Sequence, residues 1–171
     1  AMMAYGKNQR LRFKRRRNGE TDYRRRMKML RGGSARAVVR VTNTQTICQL
    51  VNYQPTGDTV HVSVDGRRLV DKYGWPIDAS RKSISASYIS GYAMAKEAIS
   101  AGHKEAVLDI GLAASTSGNR VFAALKGMVD AGMEIPHGES VLPDDERING
   151  SHIDESIAKA VEAAKKTIEE A

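Results

Sequence analysis

Apolar residues recur with a period of two between residues 35 and 65, and with a helical period over much of the chain beyond residue 83. Residues 35–42 read as a first strand, Asn43-Thr44 as a turn, and residues 46–54 as a second strand with Ile47, Gln49 and Val51 on one face. Pro55-Thr56-Gly57 makes the next turn. Residues 59–65 then alternate, with Val60, Val62 and Val64 to one side and His61 and Ser63 to the other. Three strands joined by short turns form an antiparallel meander. Residues 66–82 read as irregular. A helix is predicted over 83–101, because Tyr88, Tyr92, Ala95 and Ile99 fall on one stripe and Gly102 comes directly after. Residues 105–110 form a short apolar strand and 111–118 a loop of small and hydroxyl residues. A helix over 119–131 lines up Val121, Leu125 and Met128. Residues 133–150 read as an extended acidic connection. Ser151 and Asp154 have capping-box spacing before a last helix with Ile153, Ile157, Val161, Ala164 and Ile168 in line. The order β, β, β, α, β, α, α requires a crossover onto the same sheet. The fold class expected is α/β: a small mixed sheet with helices on one face, the other face carrying some of Arg40, Thr42, Thr46, Gln49, Asn52 and Ser63 and free for contacts.

The first 34 residues lack that periodicity. A short helix is expected from Asp22 to Arg31, with Thr21 as its cap, Gly32-Gly33 as its stop, and Tyr23, Met27 and Leu30 at helical spacing. The segment divides the chain into a basic arm (1–34), a body (35–150) and a C-terminal helix (151–171). Composition sharpens this division. The 171 residues are 41% hydrophobic but only 5% aromatic, so the core must be aliphatic and rich in alanine. Residues 1–40 hold 14 basic and two acidic side chains, a net +12, whereas the rest of the chain is −5 and residues 134–171 alone are −6. A cationic arm on a neutral-to-acidic body points to a polyanionic partner, with the arm ordering when its arginines meet phosphates. A secretory signal is excluded because no apolar stretch succeeds the charges, and a transit peptide is disfavoured because residues 1–31 contain no Ser. No run approaches 18 apolar residues, so no membrane helix is expected.

Catalytic constellations are scarce. His61, His103, His137 and His152 lie far apart and form no ligand pair; Cys48, the single cysteine, sits in a strand where an inert buried thiol is expected. Asp109 is the best single enzyme candidate, since carboxylates near strands of α/β folds hold Mg²⁺ in nucleases, but no partner carboxylates can be assigned. No cofactor or metal is expected. RNA binding is better supported. Lys7, Arg10, Arg12, Lys14, Arg15, Arg16, Arg17, Arg24, Arg25, Arg26, Lys28 and Arg31 are phosphate contacts in this reading. Phe13 and Tyr23 offer rings to unstacked bases. Trp75, in a basic loop, is either a further stacking platform or a core residue. Arg120, beside Ser115, Thr116 and Ser117, either helps hold a phosphate at a helix N-terminus or belongs to ordinary capping.

Phe13-Lys14-Arg15-Arg16-Arg17, Thr21-Asp22-Tyr23, Thr42-Asn43 with Ile47 and Gln49, Lys72-Tyr73-Gly74 and residues 108–112 stand in a familiar order. The most specific stretch is Arg120-Val121-Phe122-Ala123-Ala124-Leu125-Lys126-Gly127, extended by Asp130-Ala131-Gly132, Ile135-Pro136-His137 and Leu142-Pro143-Asp144. Over nearly its whole length the chain resembles the archaeal-type, 5S rRNA-binding ribosomal protein eighteen family of the large subunit; residues 77–83 and 113–117 match less firmly. The resemblance implies a non-enzymatic, cytoplasmic protein of the central protuberance. It would hold 5S rRNA against the large-subunit rRNA, beside neighbouring ribosomal proteins that include the other 5S-binding protein. It places Lys14 to Arg17, Tyr23 to Arg26, Asn43, Thr44, Thr46 and Gln49 against RNA. A general nucleic-acid-binding protein and a metal-dependent nuclease are the alternatives.

Overall fold

A computed structural model describes residues 6–150 and 155–170. The capping pair Ser151 and Asp154, and Ile153, lie outside the described residues. The arm carries a short helix α1 (Lys14–Arg17) and a longer α2 (Tyr23–Arg31). The body continues as β1 (Arg36–Val41), β2 (Thr46–Asn52), β3 (Thr59–Val64), α3 (Gly66–Tyr73), α4 (Ile84–Ser100), β4 (Val107–Asp109), α5 (Arg120–Asp130), a 3-10 turn (Glu139–Val141), α6 (Asp145–Asn149) and α7 (Glu155–Glu170).

The meander is present, and the crossover strand β4 pairs parallel to β1, so the strand order is β3-β2-β1-β4. The β1–β2 turn is closed by Thr42, whose N–H donates to the Gln45 carbonyl at 2.8 Å and whose hydroxyl oxygen accepts from the Gln45 N–H at 3.2 Å. Ala37, Val39, Cys48, Leu50, Val62 and Val64 point into the core under α4 and α5. Burying each larger aliphatic side chain there contributes about 1.5–3 kcal/mol. Burial also pushes the Cys48 thiol up to about 12, which leaves it an inert core residue.

One alternation fails. The pairing shifts register between Leu50 and Val51, so Leu50 faces Val62 but Val51 faces Val60. The extra residue, His61, absorbs the irregularity. Val60 therefore changes face and is 49% exposed, instead of joining Val62 and Val64. A second departure is α3, which occupies part of the segment expected to be irregular. Asp65 caps it by accepting from the Arg68 N–H at 2.9 Å, Leu69 and Tyr73 bury one stripe, and Gly74 ends it in the left-handed region at φ 71°. Likewise, the acidic connection contains the 3-10 turn and α6 rather than extended chain throughout.

Helices α4 and α5 cross with their backbones in contact. A Cβ on Gly91 would collide with the Ala124 carbonyl, and one on Gly127 with the Tyr88 carbonyl. Helix α7 packs Val161, Ala164 and Ile168 into the same core, as its stripe predicts. It is tied to α4 where Tyr92 donates to Glu169 at 2.6 Å and the Lys165 ammonium lies over the rings of Tyr88 and Tyr92.

Candidate nucleic-acid interface

The opposite sheet face is not bare. By register it carries Arg36, Val38 and Arg40 from β1, Ile47, Gln49 and Val51 from β2, and Val107 and Asp109 from β4. Helix α2 lies over it across a cleft, attached through side chains of Arg25 and Arg26. The cap of that helix is Asp22 rather than Thr21: Asp22 Oδ1 accepts from the N–H groups of Arg24 and Arg25 at 3.1 and 3.2 Å. Its inward stripe is Tyr23, Arg26, Met29 and Leu30, all half-buried, while Met27, expected on that stripe, is exposed.

Charges lie in a chain across this face. Arg26 Nη2 donates to both oxygens of Asp58 at 3.2 and 3.4 Å. Arg36 donates through Nη2 to Asp58 at 2.6 Å and through Nη1 to Asp109 at 2.8 Å. Arg40 reaches Asp109 Oδ1 at 3.2 Å and the Asp109 carbonyl at 2.7 Å. Three guanidiniums thus share two carboxylates. Burial pushes the Asp109 carboxyl up, but Arg40, the Gly111 N–H and Arg36 outweigh it and hold it below the usual carboxylate range. Asp109 is engaged as an ion-pair partner, and no group of three metal-ligating side chains occurs among the described residues. Sequence reasoning missed Asp58 and Arg36 because nothing local marks them; they meet only across strands.

The other predicted residues separate by environment. Lys7, Arg10 and Arg12 lie on an exposed lead-in, and Phe13 is 73% exposed with its ring edge-on to Tyr23 at 5.5 Å between centroids. Lys14, Arg15, Arg16 and Arg17 are exposed on α1, with Arg15 held to Glu20 at 3.3 Å and to Thr21 at 2.9 Å. Arg24, Lys28 and Arg31 are exposed on the outer side of α2, whereas Arg25 donates to the Gly111 carbonyl at 3.1 Å. A cleft of about 450 Å³ runs between α2 and the sheet, lined in part by Arg25, Arg26, Met29, Arg40 and Asp109. Asn43 and Thr44 are exposed at the tip of the β1–β2 turn, and Gln49 is half-buried, donating to Ser63 at 3.2 Å.

Two predicted contacts have no free surface. Thr46 is fully buried on the core side, its hydroxyl 2.8 Å from that of Ser87. Trp75 is 2% exposed, with its indole N–H donating to the Ser80 carbonyl at 3.3 Å, so it is a core residue with no face for a base. Arg120 is half-buried in the first turn of α5, where its guanidinium points to the Lys82 carbonyl at 3.5 Å. Asn119 caps α5, and Ser117 donates to Ser140 at 2.9 Å, which joins that loop to the connection after α5.

A basic arm folded onto an α/β body agrees with sequence comparison. The family profile for ribosomal large subunit proteins 60S L5 and 50S L18 matches residues 7–105 and 100–138, and the chain belongs to that family. It is a component of the large ribosomal subunit in the cytoplasm, and not an enzyme. Among its relatives, the large ribosomal subunit protein uL18 of Methanothermobacter thermautotrophicus is 50% identical over 151 residues, 88% of this chain and 77% of that protein. The protein of the same name from Methanoculleus marisnigri is 48% identical over 153 residues, 90% and 86% of the two chains. That of Korarchaeum cryptofilum is 44% identical over 151 residues, 88% and 76%.

Proposed function

We propose that this protein binds 5S rRNA and holds it against the large-subunit rRNA in the central protuberance, beside the other 5S-binding protein. The observation that carries this reading is the state of the arm. Its cations on α1 and on the outer side of α2 are exposed, and Lys14, Arg16, Arg17, Arg24, Lys28 and Arg31 meet no acidic side chain among the described residues. An A-form helix presents phosphates that side chains can track, while its deep major groove is closed to them. Phosphate neutralisation then supplies affinity, and Phe13, Tyr23 and the Asn43-Thr44 tip supply discrimination through ring stacking and backbone-edge contacts. Family membership supports the ribosomal setting.

The test is competition binding at ~150 mM salt, near physiological ionic strength. Labelled 5S RNA is challenged with transfer RNA and with duplex DNA, with and without Mg²⁺, and its integrity is checked afterwards. Selective retention of intact 5S RNA is expected. Equal displacement by every polyanion would mean that the arm reads charge alone. If about 6–10 phosphates are engaged, affinity falls ~10³–10⁵-fold between 50 and 200 mM salt.

A further inference from the structure

Helix α2 has two kinds of arginine. Arg24 and Arg31, with Lys28, face outward and have no acidic partner among the described residues. Arg26 lies on the inward stripe, half-buried, with both Asp58 oxygens in reach. Asp58 cannot turn away with a mobile Arg26, because Arg36 grips it at 2.6 Å. Arg36 is itself immobile: it is 4% exposed, belongs to β1, and is held from its other side by Asp109 at 2.8 Å. Its Nε is buried without a hydrogen-bond partner, so its charge depends on those two carboxylates. Beside this chain of charges, Val51 is only 4% exposed although it lies on the sheet face away from the hydrophobic core. The Arg25 bond to the Gly111 carbonyl adds a second attachment beside β4.

We propose that Arg26 is a positioning residue rather than a phosphate contact: with Asp58 and Arg36 it latches α2 onto the sheet in the RNA-free protein, so that RNA meets a preformed cationic face of Arg24, Lys28 and Arg31. The identity of the ligand rests on the proposed 5S RNA binding; the latch is a property of the protein alone. Its physical effect is preorganisation. A helix already docked leaves less ordering to be done when phosphates arrive, and a phosphate gains less from an arginine whose charge is already shared with a fixed carboxylate.

Two measurements on the full chain test this. The first is amide hydrogen exchange without RNA. The amides of residues 27–31 exchange slowly in the wild type; they lose that protection in Arg26→Gln and in Asp58→Asn, while α4 amides do not change. The second is the salt dependence of 5S RNA affinity. Arg26→Gln weakens binding about tenfold with an unchanged log–log salt slope, and Arg26→Lys restores it, because an ordering cost on binding carries no counterion term. Arg24→Gln instead lowers the slope by about one, with α2 protection unchanged. Unprotected α2 amides in the wild type, or a slope that falls for Arg26→Gln as it does for Arg24→Gln, would overturn the latch. A wild type with no preference for 5S RNA removes the ligand assignment, and the exchange result then decides the latch by itself, protection supporting it and its absence overturning it.

Discussion

The core under the sheet and the arm above it organise their residues by opposite rules. In the core, Leu50, Ile89, Leu125 and Met128 are fully buried, and the hydroxyls of Thr46 and Ser87 enter as a hydrogen-bonded pair while that of Ser90 donates to the Ala86 carbonyl. On the other side of the same sheet, Arg26, Asp58, Arg36, Asp109 and Arg40 form a chain of ion pairs, and outside it the remaining cations of the arm face solvent. The difference shows what each side is for. Apolar burial stabilises the fold without reference to any partner. An excess of unneutralised charge stabilises nothing in the free protein and needs an anion to be useful. The ion-pair chain joins the two, since Arg36 and Asp109 belong to strands of the body and Arg26 to the arm.

Removing residues 1–34 is the most drastic way to break the comparison. RNA affinity should fall by at least ~10³-fold, about 4 kcal/mol, while circular dichroism retains the body's helix and strand signals. Unchanged binding by the truncated chain would sink the arm's assigned role. Next in size is Arg36→Ala, which leaves Asp109 to Arg40 and Asp58 to Arg26 alone and, with two charge-assisted bonds lost, should cost about 3 kcal/mol in denaturant unfolding. Asp109→Asn should be milder and should flatten the acid limb of the stability profile. Because the folded Asp109 carboxyl titrates below its usual range, its contribution is complete above the unfolded-state pKa near ~4 and is lost as the pH falls through the folded value. An acid limb identical to the wild type's would contradict that assignment.

Gly91→Ala tests the core without touching the arm. The added methyl meets the Ala124 carbonyl and should cost about 3 kcal/mol, or a fall in Tm of several degrees. RNA affinity per folded molecule should not change; a selective loss of affinity would mean that the two sides of the sheet are not independent. The smallest effect is expected from Tyr92→Phe, which deletes the bond to Glu169 and should cost about 1 kcal/mol, seen as faster amide exchange near the end of α7.

Long periodic elements were legible because each carries a buried stripe, a single face on α7 but only part of the buried surface on α4, which is buried all round from Ser85 to Ala95, and on α5, which is buried throughout Val121–Leu125. Tyr88, Tyr92 and Ala95 on α4, Val121, Leu125 and Met128 on α5, and Val161, Ala164 and Ile168 on α7 are buried as the stripe requires. Helix α3 was missed although its signals were present: Asp65 at the cap, Leu69 and Tyr73 four apart, and Gly74 after the last turn. Its eight residues are too few for a period to stand out among Arg67, Arg68 and Lys72. The exposed valine at 60 could not be read at all, since a bulge depends on what the partner strand presents. The same limit applied to the site. The cations of the arm were read directly from their clustering, but Thr46 looked accessible, and Trp75 read equally as platform or core, until α3, the 76–82 segment and α4 closed around them.

By itself the sequence determined the meander, the three main helices, the asymmetry of charge and the family. Each of these comes from residue type and spacing within a short window, or from motifs in chain order. Only the tertiary structure decided which arginines remain free. Arg24 and Arg26 are two residues apart in one basic cluster, yet one faces solvent and the other Asp58, 32 positions away in sequence. A helix turns residues two apart to different sides, and which side meets a carboxylate depends on how α2 lies across strands that are distant in the chain.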